Sequence, residues 1–209
     1  MLVRTASLRH LLGKKDMSSE DILETCWKKE GNVYSVIPRE SFIEVKWVDL
    51  PSTPYAVMSY QWLSKWGSIA DFILLSDKRV LAEYMWIDVL CLDQMSSDKM
   101  TTIKRSDEIY FHAKEYHLME IGSLLRGWVL FELSSVKEAM LPPAIHISIG
   151  QDPAAINVMK RFLRSDGFDG CDFTEESDRE IVKKKIIDRY GSVAEFNLRI
   201  IAIVDKIFV

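Results

Sequence analysis

The chain has 209 residues, a net charge of -4 from 27 Lys plus Arg against 31 Asp plus Glu, and 48% hydrophobic residues. That length holds one domain of ordinary size with an appendage, and the apolar share supplies a core and excludes a disordered or collagen-like chain. The acidic balance lacks the basic excess that a phosphate backbone demands, so no nucleic-acid partner is expected, and no apolar run reaches the length of a membrane span.

Cys26, Cys91 and Cys171 are odd in number and far apart. They argue against a disulfide framework and for a reducing compartment, with a cytoplasmic location as the expectation. Arg4, Arg9, Lys14 and Lys15 stand in residues 1–15 without an acid, beside Leu2, Leu8, Leu11 and Leu12. This is a weak transit-peptide pattern, and the plainer reading is an N-terminal helix or arm packed on the domain.

Ser18 and Asp21 have capping-box spacing ahead of Ile22, Leu23 and Trp27, which predicts a short helix. Residues 32–47 loosen into strand-like stretches around Pro38, and Leu50-Pro51-Ser52-Thr53-Pro54 breaks the chain. Residues 1–54 therefore read as a preface to a domain over 55–150. In that domain Tyr55 to Tyr60 reads as a buried strand with the polar, aromatic Ser59-Tyr60-Gln61-Trp62 at its carboxyl end, where α/β folds place ligands. Apolar spacing over 64–81 predicts a helix, Met85 to Leu92 a second buried strand, and Asp93 to Asp98 a polar loop. A helix through Ile103, Ile109, Tyr110 and Ala113 follows, then a strand over 116–121 and a helix from Leu124 to Val136 with Ser123 as its cap. Pro142-Pro143 ends that helix, and Ile145 to Ile149 alternates as a strand. The alternation predicts an α/β fold, a mainly parallel sheet of four or five strands flanked by helices.

Residues 151–209 read as a C-terminal helical extension. A helix is expected over 155–163, an acidic loop over 166–176, and two capped helices opened by Ser177 with Glu180 and by Ser192 with Glu195. The apolar faces of the last two, through Ile181, Ile186, Tyr190, Phe196, Ile200 and Ile207, are expected to pack on the domain and brace the helix before them.

The four histidines lack metal-ligand spacing, and the acids over 166–178 lack the alternation and sixth-position glycine of a calcium loop, so no metal is assigned. Dinucleotide, phosphate-loop and hydrolase-elbow motifs are absent as well. What remains is a polar set at the expected strand ends and on the following helix: Ser59, Tyr60, Trp62, Asp88, Asp93, Gln94, Arg126, Trp128 and Glu132. Trp128 and Glu132 are one helical turn apart and share a face, although spacing alone equally describes a core Trp beside a solvated Glu.

Four blocks in order add a resemblance. Tyr55-Ala56-Val57-Met58-Ser59-Tyr60-Gln61-Trp62 resembles the opening motif of the fungal heterokaryon-incompatibility (HET) domain, a relative of the Toll/interleukin-receptor (TIR) domain. Trp86-Ile87-Asp88-Val89-Leu90-Cys91-Leu92-Asp93-Gln94 is similar to its W-I-D-x-x-C-I-x-Q block, and Ile109-Tyr110 with Ala113 to its I-Y-x-x-A. Arg126-Gly127-Trp128-Val129-Leu130-Phe131-Glu132-Leu133 resembles its R-x-W-T-L-Q-E-L block. The chain departs from the pattern at Leu63, where the family has Gly, and at Val129-Leu130-Phe131 in place of T-L-Q.

The resemblance implies a TIR-like, flavodoxin-like sheet and an NAD+ glycohydrolase that releases nicotinamide, with NAD+ or a related nucleotide as substrate and no resident cofactor. It implies Glu132 as the catalytic group, with Ser59, Tyr60, Trp62, Asp88, Asp93, Arg126 and Trp128 around the ligand. Loss of neutral nicotinamide from a pyridinium needs no proton donor and leaves an oxocarbenium-like ribose, which suits a single carboxylate. Tyr60 or Trp62 offers a ring for stacking. A cell-death or defence role governed by homo-oligomeric assembly also follows from the family. A non-catalytic scaffold of the same fold and an enzyme resembling nucleoside deoxyribosyltransferases are the alternatives.

Overall fold

The computed structural model describes residues 1–14, 16–61, 82–137, 145–149 and 152–208, the 145–149 segment as backbone. The helix expected over 64–81, Trp62, Leu63 and the Pro142-Pro143 break lie outside the described residues. Among those described, β1 (Leu2–Arg4), β2 (Phe42–Ile43), β3 (Tyr55–Ser59), β4 (Tyr84–Trp86), β5 (Glu115–Glu120) and β6 (Ile145–Ile149) form one sheet in the order β2-β1-β4-β3-β5-β6.

The chain is α/β. β4, β3, β5 and β6 are parallel, and β1 runs antiparallel to both β4 and β2, so the open sheet is mixed. The parallel block has four strands, within the four or five expected, and residues before Tyr55 add two short strands at one edge. Every residue of β3 is buried, as expected for a strand covered on both faces. Within the parallel block the chain-order sequence is second, first, third, fourth. Successive connections thus leave β3 toward opposite sides and open a crevice beyond the carboxyl ends of β3 and β5.

Helical elements cover this sheet. α1 (Ser19–Ile22) passes through a π-helical turn (Leu23–Trp27) into α2 (Lys28–Glu30), which Gly31 ends at a φ of 72°. α1 begins with the expected capping box of Ser18 and Asp21. α3 (Asp88–Cys91) corrects the strand read over 85–92. The backbone leaves the sheet after Trp86 and closes a helical turn, with Cys91 N donating to Ile87 O at 2.8 Å and Leu92 N to Asp88 O at 2.9 Å. The single helix expected through Ile103 and Ala113 is two, α4 (Lys99–Lys104) and α5 (Ser106–His112). α6 (Gly127–Ser135) starts later than predicted, because residues Ile121–Leu125 form a 3₁₀ turn and Arg126, with no side-chain cap, takes the place expected for Ser123.

α7 (Pro153–Ser165), α8 (Glu176–Tyr190) and α9 (Val193–Ile207) make the C-terminal part. Ser192 caps α9 by accepting from Glu195 N, whereas Ser177 lies inside α8, which begins from Glu175 with acids in its first turn. Ile186, Phe196 and Ile200 are buried against the core, with Ile181, Tyr190 and Ile207 partly so. Tyr190 donates to Ser134 O at 3.0 Å and Arg199 to the same carbonyl at 3.3 Å, so the tail braces the end of α6. At the other terminus Thr5–Lys14 is a 3₁₀ segment whose Leu8 and Leu11 are buried. No helix among the described residues is long and apolar enough to cross a membrane.

Candidate functional site

β3 ends at Ser59, and the chain continues outward through Tyr60 at the crevice that the strand order predicts. A cavity of about 670 Å³ opens there, bounded by the α1 and π-turn segment, β3, α3 to α6 and the start of α8. Ser59, Tyr60, Asp88, Arg126, Trp128 and Glu132 all line it. With Gln94, which also lines it, seven sequence-selected residues from three separate blocks therefore meet around one space.

Glu132 is half-buried, and Ser59 Oγ donates to its Oε2 at 2.5 Å. Burial pushes the Glu132 carboxyl up to about 8; the Ser59 hydroxyl opposes that rise, the negative charge of Asp88 adds to it, and the Tyr110 hydroxyl opposes it. The group is therefore biased toward its protonated form at neutral pH. Asp88 is the second carboxyl. Its Oδ1 accepts from the Tyr60 hydroxyl at 2.6 Å and from Val89 N at 2.6 Å, the latter a local bond at the start of α3. Tyr60 accepts in turn from Ser19 Oγ at 2.9 Å, and burial first, then Asp88, holds its hydroxyl well above the usual phenol range. Tyr60 is thus a neutral strut that fixes Asp88, and its 6% exposure leaves little ring face for stacking.

Trp128 and Glu132 do share a face of α6. Trp128 is half-buried and donates from Nε1 to Asp178 Oδ2 at 3.0 Å, which ties the first turn of α6 to α8. Arg126 donates to the Thr174 hydroxyl. The 171–174 segment lies along the start of α6, with Asp172 N donating to Leu125 O at 2.8 Å and Gly127 N to Asp172 O at 3.2 Å. Gly127 is required at that crossing, because a Cβ there would overlap the Phe173 ring.

Asp93 does not join this constellation. It lines a separate cavity of about 300 Å³ with Leu2, Trp47 and Trp86, and its side chain accepts from Met95 N at 3.0 Å as an exposed loop anchor. Trp62 lies outside the described residues. Among the described residues no cluster of three His, Cys, Asp or Glu is placed to hold a metal, and Cys26, Cys91 and Cys171 are buried free thiols.

Sequence reasoning missed Ser19, Tyr110 and Asp178. Tyr110 stood in the I-Y-x-x-A block only as an apolar helix position, yet its hydroxyl donates to Met58 O at 3.4 Å beside Ser59. Asp178 looked like one of a run of solvated acids, and Ser19 has no local sign of its role because its partner is Tyr60.

No family model matches the chain, and neither a curated protein nor a solved structure matches it.

Proposed function

We propose that this chain is an N-glycosyl hydrolase of TIR/HET type that cleaves NAD+ and releases nicotinamide. The observation that carries the reading is the contact of Ser59 with Glu132 at the carboxyl edge of β3, inside a cavity that also holds Asp88, Arg126 and Trp128. The strand order of the parallel block, second-first-third-fourth, supports the flavodoxin-like arrangement that the motif blocks imply.

The chemistry starts from a proton. Burial biases Glu132 toward its neutral form because ionisation in the cavity is costly. A pyridinium ribose entering the cavity brings the positive charge that makes ionisation favourable, so the substrate itself drives the Glu132 proton into solvent. The carboxylate, oriented by Ser59, then opposes the charge that grows on the ribose as the bond to nicotinamide breaks. Nicotinamide leaves with the bonding electron pair as a neutral base, and water adds to the ribose with loss of a proton. Arg126 at the rim supplies positive charge for the phosphates.

The test is incubation of the purified chain with NAD+ at several protein concentrations, following nicotinamide by chromatography. Release is expected, and Glu132→Ala should lower it at least about a hundredfold with the fold intact. Absence of release at every concentration would leave the scaffold reading of the same fold.

One observation favours a second reading. Glu132 holding a proton and Asp88 in the same cavity give an acid and a carboxylate, a pair suited to a neutral nucleoside whose leaving base needs protonation. Cleavage of deoxynucleosides in preference to NAD+ would select it.

A further inference from the structure

Two polar side chains in the cavity wall have an unmet need. Gln94 is 7% exposed and Ser106 is 8% exposed, and both line the cavity. Gln94 Nε2 donates to Asp88 O at 3.3 Å, while Gln94 Oε1 and Ser106 Oγ are buried with no hydrogen-bond partner among the described residues. Leaving such atoms unpaired is costly, and a ligand that supplies the partners recovers that cost.

Both belong to segments that also carry residues of the site. Gln94 hangs from the backbone of Asp88, and Ser106 stands one helical turn before Tyr110, the residue that reaches Met58 beside Ser59. Trp86 and Ile103 supply apolar wall in the same cavity. An acceptor and a hydroxyl beside an apolar wall match a planar ring that carries a primary carboxamide: the amide nitrogen donates to Gln94 Oε1, and the amide oxygen accepts from Ser106 Oγ. A carboxylate in that place has no hydrogen to offer Gln94, and it adds negative charge beside Asp88 and Glu132.

We infer that Gln94 and Ser106 form a carboxamide-recognition subsite that makes the chain select pyridinium ribosides bearing an amide over those bearing a carboxylate. This rests on the glycohydrolase reading for its substrate class, but the binding claim has its own readout.

The experiment compares kcat/KM for NAD+ with that for nicotinic acid adenine dinucleotide. It also measures binding of free nicotinamide and free nicotinic acid by ligand-observed NMR. Both are done for the wild type, Ser106→Ala and Gln94→Met, with thermal melting alongside. The wild type should favour the amide substrate by about a hundredfold, as sites that hydrogen-bond a group reject analogues lacking it. Each variant should lower that preference, and nicotinamide affinity, by about tenfold. Ser106→Ala should melt no lower than the wild type, since the lost hydroxyl had no partner, whereas a merely structural serine would lose stability. It carries the test alone if Gln94→Met does not fold. Cleavage of both dinucleotides at similar rates, or an unchanged preference in the variants, overturns the subsite and leaves the glycohydrolase reading standing. Amide-selective binding weakened by Ser106→Ala without cleavage upholds the subsite and overturns the hydrolase. Neither cleavage nor amide binding overturns both.

Discussion

The indole nitrogen of Trp128 donates to Asp178 at 3.0 Å, so the helix that carries Glu132 is fastened to the C-terminal extension one turn before the carboxylate. Glu132 itself is fastened to Ser59 on the sheet. α6 is thus held from two sides, by the sheet through Glu132 and by α8 through Trp128.

Asp178→Ala should loosen the second fastening. The half-buried indole N–H loses its acceptor, at a cost of about 1–2 kcal/mol, which lowers the melting temperature by a few degrees. NAD+ turnover should fall more than affinity does, because the variant acts chiefly by shifting the helix that positions Glu132. Calorimetry and a kcat-against-KM comparison check both parts.

Glu132→Gln should change how stability depends on pH. The folded carboxyl titrates near 8 and an unfolded one near 4.5, so between those values the folded state keeps a proton that the unfolded state has released. Stability from this group is greatest below about pH 4.5 and falls as pH rises toward 8, by up to about 1.4 kcal/mol per pH unit. Gln cannot ionise. The variant should therefore gain melting temperature over the wild type progressively from pH 5 to pH 8, and parallel pH–melting curves for the two proteins would contradict the assigned environment.

Activity should run the opposite way with pH. The reacting form of Glu132 is the carboxylate, so kcat/KM for NAD+, which reports the free protein, should rise through an apparent pKa of about 8. The profile of kcat should break lower, because the bound pyridinium favours the ionised form. Stopped assays over pH 5.5 to 9 separate the two.

Gly127→Ala should be among the most damaging single changes near the site. The added methyl has to displace the Phe173 ring, which packs edge-on against Phe168 at 5.7 Å and lies under the Arg179 guanidinium at 4.8 Å. Overpacking of this kind costs about 1–3 kcal/mol. A combined Gly127→Ala, Phe173→Leu protein should recover part of the lost melting temperature, and lack of recovery would place the strain elsewhere.

The elements legible in the sequence are those whose signal is local and repeated. β3 and β5 show as apolar runs because both faces are covered, and the turn spacing of Trp128 and Glu132 showed one face of α6. β1 and β2 are two or three residues long, and what makes them strands is pairing with each other and with Met85 across the sheet. Such short non-local pairing has no periodicity to read. The run from Met85 to Leu92 misled for a different reason, since a continuous apolar stretch suits a buried strand and a buried helical turn equally. For the site, Ser59, Asp88 and Glu132 stood out as polar groups at strand ends or on a marked helix face. Asp93 stood in the same kind of position, but local bonding to Met95 N absorbs its side chain.

β1 lies inside the sheet, with Val3 facing Phe42 on one side and Met85 on the other. During synthesis the β1 segment leaves the ribosome well before β4 exists, so one of its hydrogen-bonding edges has no native partner until the chain has passed Met85. An unpaired apolar strand of that kind is a template for wrong pairing. The nascent chain accordingly has an interval of exposure that ends when β4 docks, and changes that slow the arrival of β4 should reduce the yield of folded protein more than their effect on the finished structure would suggest.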